Sequence, residues 1–313
     1  MPAEIWLHIG LPKSGTSTLQ KHLLTHREAL AAQGVTYVTP KGKTSCNDLA
    51  VAMNKSRDDL GKMAANLNTA LETCETSRAF LSSEMFYGMT PEALFAVLPV
   101  LKVKSLKVLT YLRRQDKYIE AKYLQKAKNL RFLGSIDAFI ERFSGSGSDY
   151  AAQLAPWQDL AGVTLVPRIL ERPRLTGGDV VSDVYALLGL DPPEPEESAD
   201  NNVSPGIHRV QLLQAAAAAG LADPRRLQRN LAAKFPQDPK DRGPILSQTE
   251  RRAYLAAHDK GNSTLCARFF PDQAQLFDTA DLEHDTAGPG IPAFTEAQLT
   301  EVTRLLVALK SLA

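Results

Sequence analysis

The chain has 313 residues, with 36 Lys+Arg against 35 Asp+Glu for a formal net charge of +1. Its 44% hydrophobic and 23% charged residues are the mixture of an ordinary globular protein, long enough for one large or two modest domains. A charge so near zero excludes a general nucleic-acid binder, and the lack of any run of ~18 apolar residues excludes a transmembrane helix.

Residues 5–9 predict a strand where a secretory leader would show a basic stretch followed by an apolar one, so a cytoplasmic protein is expected. The cysteines Cys46, Cys74 and Cys266 are odd in number, far apart and without metal-ligand spacing. They fit free thiols in a reducing compartment, and no metal is expected. Further strands are predicted at 35–38, 78–82, 106–112 and 163–167. Helical patterns lie between them at 16–33, 58–76, 91–102, 117–129, 136–143 and 149–160, followed by another at 178–188. Gly34 is placed to end the first helix, where positive φ is cheap for glycine. This alternation predicts an α/β fold of three layers, a central parallel sheet flanked by helices.

A Pro/Glu-rich connection follows at 191–206. Beyond it the pattern is helical, with capping-box spacing at Ser247–Glu250 and Thr295–Gln298 and an alanine-rich helix at 212–221. Residues 1–195 are therefore expected to form the α/β core. Residues 207–313 are expected to form a helical C-terminal extension packed on it as one domain.

The most informative segment is Gly10-Leu11-Pro12-Lys13-Ser14-Gly15-Thr16-Ser17-Thr18. It leaves a predicted strand and opens a predicted helix, the setting in which glycines permit a tight turn and helix N-terminal amides face an anion. Hydroxyls at Ser14, Thr16, Ser17 and Thr18 add donors. Against the pattern G-x-x-x-x-G-K-[ST], the glycines and Ser17 match, but Thr16 stands where the lysine belongs and Lys13 sits earlier.

This loop resembles the 5′-phosphosulfate loop of sulfotransferases, written PK[ST]GT[ST], which binds 3′-phosphoadenosine 5′-phosphosulfate (PAPS). A second block, Tyr111-Leu112-Arg113-Arg114-Gln115-Asp116, resembles the YLRRQD segment of bacterial sulfotransferase-like proteins. The resemblance implies a P-loop-like fold. It implies PAPS binding by Lys13, Ser14, Gly15, Thr16, Ser17 and Thr18, with Lys13 on the bridging oxygen of the leaving group. It also implies Arg113 on the 3′-phosphate, where a guanidinium fork suits the anion. The family's serine eight residues after that arginine is replaced by Ala121, a contact for which Arg114 or Lys122 could substitute.

Sulfuryl transfer to a hydroxyl needs a base. Glu84, in Ser82-Ser83-Glu84-Met85-Phe86, follows a predicted strand, where doubly wound folds place their chemistry. Two readings stand side by side: Glu84 is the base, with Ser83 orienting it or the substrate, or Glu84 caps the next turn or pairs with a lysine. His22 and His26, four apart on one helix face, are rival bases, and His8 reads as a core residue. The expectation is a cytoplasmic PAPS-dependent sulfotransferase. It would transfer to a carbohydrate or small-molecule hydroxyl and release 3′,5′-ADP (PAP). The alternatives are a P-loop kinase, or a PAP-binding module without turnover.

The near-zero charge conceals opposed blocks. Residues 102–131 carry ten basic residues against two acids, whereas 179–202 and 272–301 each carry seven acids and no base. The basic block surrounds Arg113, a field suited to one highly charged nucleotide.

Overall fold

A computed structural model describes residues 1–132, 134–143, 145, 147–191, 207–218, 244–283 and 307. Five strands form one sheet in the order β2-β3-β1-β4-β5: β1 (Glu4–Gly10), β2 (Val35–Tyr37), β3 (Arg78–Ser82), β4 (Leu106–Leu112) and β5 (Val163–Ile169). Every neighbouring pair is parallel, with Ile5 opposite both Ala79 and Leu106. Each predicted strand is present within two residues of its expected ends.

Helices fill the connections: α1 (Thr16–Thr25), α2 (Arg27–Ala32), α3 (Asn47–Lys55), α4 (Leu60–Glu72), α5 (Pro91–Val97), α6 (Gln115–Lys128), α7 (Ile136–Phe143), α8 (Tyr150–Leu154) and α9 (Val180–Leu187). Later come α10 (Ile207–Ala218), α11 (Gln248–Ala256) and α12 (Asp259–Phe269). β1 is buried almost throughout, with Ile5, Leu7 and Ile9 fully enclosed, as a strand covered by helices on both faces must be. On one face Trp6, Phe80, Leu109 and Tyr111 pack with Leu19 and Leu23 of α1 and Val184 and Tyr185 of α9. The outcome is a P-loop-like three-layer α/β fold, as expected.

Several helical predictions differ in detail: the stretch expected at 91–102 stops as α-helix at Val97, with a 3₁₀ turn at Pro99–Leu101, and that at 149–160 is the short α8 followed by a 3₁₀ turn at Ala155–Trp157. The stretch at 16–33 breaks at His26, whose backbone N–H and ring nitrogen both engage the His22 carbonyl, so α1 and α2 are separate. Gly34 then follows with φ +83. Helix α3 was not expected. Its polar start, Asn47-Asp48, obscures the short apolar face of Leu49, Ala50 and Ala52. The box at Ser247 forms as read, Ser247 Oγ accepting from the Glu250 amide and Glu250 Oε2 accepting from the Ser247 amide. The box at Thr295, and residues 219–221 of the alanine-rich stretch, lie outside the described residues.

The chain divides into two compact units. Residues 1–114, 149–196 and 260–277 form the first, and residues 115–148, 197–259 and 278–313 the second. The first contains the sheet. The second packs α6, α7, α10 and α11 around Ile119, Tyr123, Phe139, Val210, Leu246 and Tyr254. Within it Asp116 and Arg251 pair at 2.7 Å, both buried. Glu120 Oε1 accepts from the amides of Ile245 and Leu246 at 2.9 and 2.8 Å. Burial raises the Glu120 carboxyl above the usual range, against the opposing pull of those amides. Cys46, Cys74 and Cys266 are free thiols, and no helix among the described residues is long and apolar enough to cross a membrane.

Candidate functional site

β1 ends at Gly10 with φ +117, at the place where the chain must pass beside the end of β3. A Cβ at Gly10 would lie 3.0 Å from the Glu84 carbonyl oxygen, so only glycine permits this approach. Ser14 is fully buried and donates its hydroxyl proton to the Leu11 carbonyl, tying the loop to itself. Lys13 adopts φ +70, a left-handed conformation uncommon outside glycine. Gly15 (φ +80) is the N-cap of α1 and offers no side-chain cap. No side chain caps the first turn of α1, where the Thr18 amide donates to the Gly15 carbonyl at 3.1 Å, and a helix start without a side-chain cap favours an anion. Ser17 and Thr18 are exposed there, and Thr16 is buried.

Glu84 begins a 3₁₀ turn (Glu84–Gly88) directly after β3. The cap of that turn is Ser83, whose Oγ accepts from the Met85 amide at 3.2 Å and donates to Asn47 Oδ1 at 2.7 Å. Of the two readings of Glu84, capping is thus the work of Ser83. Thr16 Oγ1 donates to Glu84 Oε2 at 2.5 Å, joining the loop to the end of β3 across 68 residues of sequence. Glu84 is partly buried, and its other oxygen makes no hydrogen bond among the described residues.

β4 delivers Arg113, whose Nη1 donates to the Lys13 carbonyl at 3.0 Å. Tyr150, fully buried at the start of α8, donates its hydroxyl proton to the Arg113 carbonyl. The two sequence blocks therefore meet within the first unit, as do the two ends of β1 and β3. Arg114 is only 2% exposed, the less accessible of the two arginines. Ala121 is buried on α6, in the second unit. His22 of α1 and His26, just past its end, stack at 4.1 Å, with His22 edge-on to Tyr185.

Sequence reasoning missed two supporting networks. Beneath the loop, His8 Nδ1 lies 2.8 Å from Ser82 Oγ, which also accepts from Gln20 Nε2 at 3.0 Å. Under α9, Asp183 accepts from Arg168 at 2.6 and 2.9 Å, from Tyr111 Oη at 2.9 Å and from the Thr176 amide at 3.0 Å. Burial alone would raise the Asp183 carboxyl, but these donors outweigh it and hold it below the usual range. The available signal was a polar residue, His8 or Asp183, inside an otherwise apolar periodic run.

A lysine and an arginine, exposed hydroxyls, a helix N-terminus without a side-chain cap and a backbone that bends close at Gly10 together could hold a polyanion. These residues fit the phosphates and sulfate of a nucleotide phosphosulfate, and among the described residues no three or more His, Cys, Asp or Glu side chains are grouped as metal ligands. The fold and this loop define a P-loop-like α/β protein.

No family model matches the chain. It is similar in fold to the sulfotransferase from Alicyclobacillus acidocaldarius, over 91% of this chain and 99% of that one, at 15% identity and a TM-score of 0.47. It is also similar to mouse sulfotransferase SULT7A1 complexed with PAP, over 86% and 90%, at 13% identity and a TM-score of 0.39. A third similarity, to a chain of the PezAT toxin–antitoxin system of Streptococcus pneumoniae, has 12% identity and a TM-score of 0.32. A curated relative, an uncharacterized protein of Archaeoglobus fulgidus, is 30% identical over 118 residues, 37% of this chain. The match spans about a third of that relative, 32% of its length.

Proposed function

We propose that the protein is a cytoplasmic PAPS-dependent sulfotransferase acting on a carbohydrate or small-molecule hydroxyl. The observation that carries this reading is the junction of Lys13, Glu84 and Arg113 on one loop, through the Thr16–Glu84 bond at 2.5 Å and the Arg113–Lys13 bond at 3.0 Å. The resemblance of the two sequence blocks to those of sulfotransferases supports it.

PAPS, when bound, supplies a sulfuryl group carried on a nucleotide phosphate, with PAP as the product left behind. The loop amides, with Ser14, Gly15, Thr16, Ser17 and Thr18, would hold the 5′ end, and the Lys13 ammonium would offset negative charge there, the preorganised electrostatics that dominates many transfer reactions. Arg113 would hold the 3′-phosphate, and the neighbouring Arg114, less accessible, would add positive charge. Glu84, one oxygen held by Thr16, accepts the proton of the acceptor hydroxyl on the other.

Calorimetry with PAP and turnover with sulfur-labelled PAPS test this assignment. Wild type is expected to bind PAP; Lys13→Ala should lose binding and transfer, and Glu84→Gln should retain binding while losing a factor of about 10² or more in turnover. PAP binding with no transfer to any acceptor would favour a module without turnover, the reading that Ala121 motivates. One observation favours a kinase: an acid after β3 beside the loop hydroxyls is the kind of arrangement that holds magnesium in P-loop enzymes. Magnesium-dependent ATP binding in place of PAP binding would select that reading.

A further inference from the structure

His8 is fully enclosed in the central strand, in line with Trp6 and between Leu7 and Ile9. A polar ring buried there is costly without partners, and its partners all belong to the elements that carry the site. Its ring faces Ser82 and, at 5.9 and 6.5 Å between centroids, Tyr111 and Phe80. Its own carbonyl accepts from the Ser83 amide at 2.9 Å. His8 thus grips by ring and backbone the two residues that precede Glu84.

The proton inventory fixes the tautomer. Gln20 Nε2 can only donate, so Ser82 Oγ accepts from it. The Ser82 hydroxyl proton then needs an acceptor, and His8 Nδ1 at 2.8 Å is the one in reach. The ring proton therefore sits on Nε2, which makes no hydrogen bond among the described residues. The backbone of Gly10, where the loop begins, favours a protonated ring, against the larger effect of burial. On α1, Thr16 and Gln20 stand four apart on one face, the first holding Glu84 and the second Ser82.

We infer that His8, as a neutral Nε2-protonated imidazole, is a positioning residue that sets the loop bearing Lys13 and the carboxylate of Glu84 in one register. The inference rests on the proposed reaction for its consequence, and on geometry alone for the tautomer. Among the described residues no charged group hydrogen-bonds the ring; the Asp183–Arg168 pair meets Tyr111, the ring's edge-on neighbour. Burial lowers the His8 pKa to about 4.

Two measurements on the full chain test it. Long-range proton–nitrogen NMR on histidine-labelled wild type should find one neutral imidazole protonated on Nε2, unchanged from about pH 8 to about pH 5. An Nδ1-protonated ring, or titration near the ordinary histidine value, would overturn it. Steady-state turnover with PAPS, with PAP affinity measured alongside, should show His8→Phe losing about tenfold or more in kcat, with the Kd for PAP within about threefold. His8→Asn, which keeps an acceptor near Nδ1, should recover most of the loss. Ser82→Ala should repeat it, which covers a His8→Phe chain that fails to fold. Wild-type kcat in His8→Phe would refute a positioning role. If wild type itself neither binds PAP nor transfers, the functional reading has failed, and the NMR result alone decides the tautomer.

Discussion

Thr16 occupies the position where a nucleoside triphosphatase would carry its lysine, and it spends its hydroxyl on Glu84 instead. Thr16→Val removes that donor at nearly constant volume, so Glu84 loses its anchor while the loop backbone keeps its shape. PAP affinity is expected to stay within about threefold and turnover to fall about 10–100-fold, read by calorimetry and a labelled-PAPS assay. Equal losses in both would show that Thr16 acts on the nucleotide. His8 makes a separate prediction about stability. Burial depresses its pKa from 6.5 to about 4, so between those values the unfolded chain binds a proton that the folded one refuses. Stability is then full above about pH 6.5 and falls as the pH drops towards 4, by about 3 kcal/mol from this ring. Urea titrations of wild type and His8→Gln should show a shallower acid limb in the variant; parallel limbs would contradict it. At this scale the sequence displayed residue types but not partners. Nothing local links residue 16 to residue 84, or 113 to 13.

Among elements, the strands were legible because each is a short apolar run closed by turn residues, and a parallel sheet buried on both faces requires such runs. The loop was legible for the same local reason: its turn, its glycines and its helix start are consecutive. Helix α3 escaped notice because its buried face consists of only Leu49, Ala50 and Ala52 behind a polar start. Helix α9 is held at two levels. Asp179 caps it, accepting from the amides of Val181 and Ser182, and Asp183 anchors it to β4 and β5 through Tyr111 and Arg168. Asp183→Ala leaves Arg168, which is 27% exposed, without its charge partner, and Tyr111 and the Thr176 amide without an acceptor. A loss of about 3 kcal/mol is expected in denaturant unfolding. A change below about 1 kcal/mol would mean that water replaces these contacts readily.

Over the whole molecule, each unit is assembled from three separated stretches of chain. The first unit takes back residues 260–277, including buried Leu265, Cys266, Leu276 and Phe277, and Arg174 donates to the Leu276 carbonyl at 2.6 Å. A fragment ending at residue 195 would leave that apolar surface in water. It is expected to lose the cooperative melting of the full chain, as followed by calorimetry and near-ultraviolet dichroism. Melting at the full chain's temperature would show that residues 260–277 are dispensable. The segment Tyr111–Asp116 is likewise divided: Arg113 faces the loop in the first unit, while Asp116 is consumed by Arg251 in the second. Of the ten basic residues at 102–131, Arg113 bonds the loop backbone, whereas the lysines of α6 belong to the second unit.

The sequence by itself determined the strand inventory, the glycine turn and helix start at residues 10–18 and the candidate carboxylate at 84, because periodicity, turn chemistry and helix termini act over a few consecutive residues. The tertiary structure decided which of these groups meet. Contacts across 68 or 100 residues depend on strand order, with β1 set between β3 and β4, and on the close pass that Gly10 allows beside Glu84.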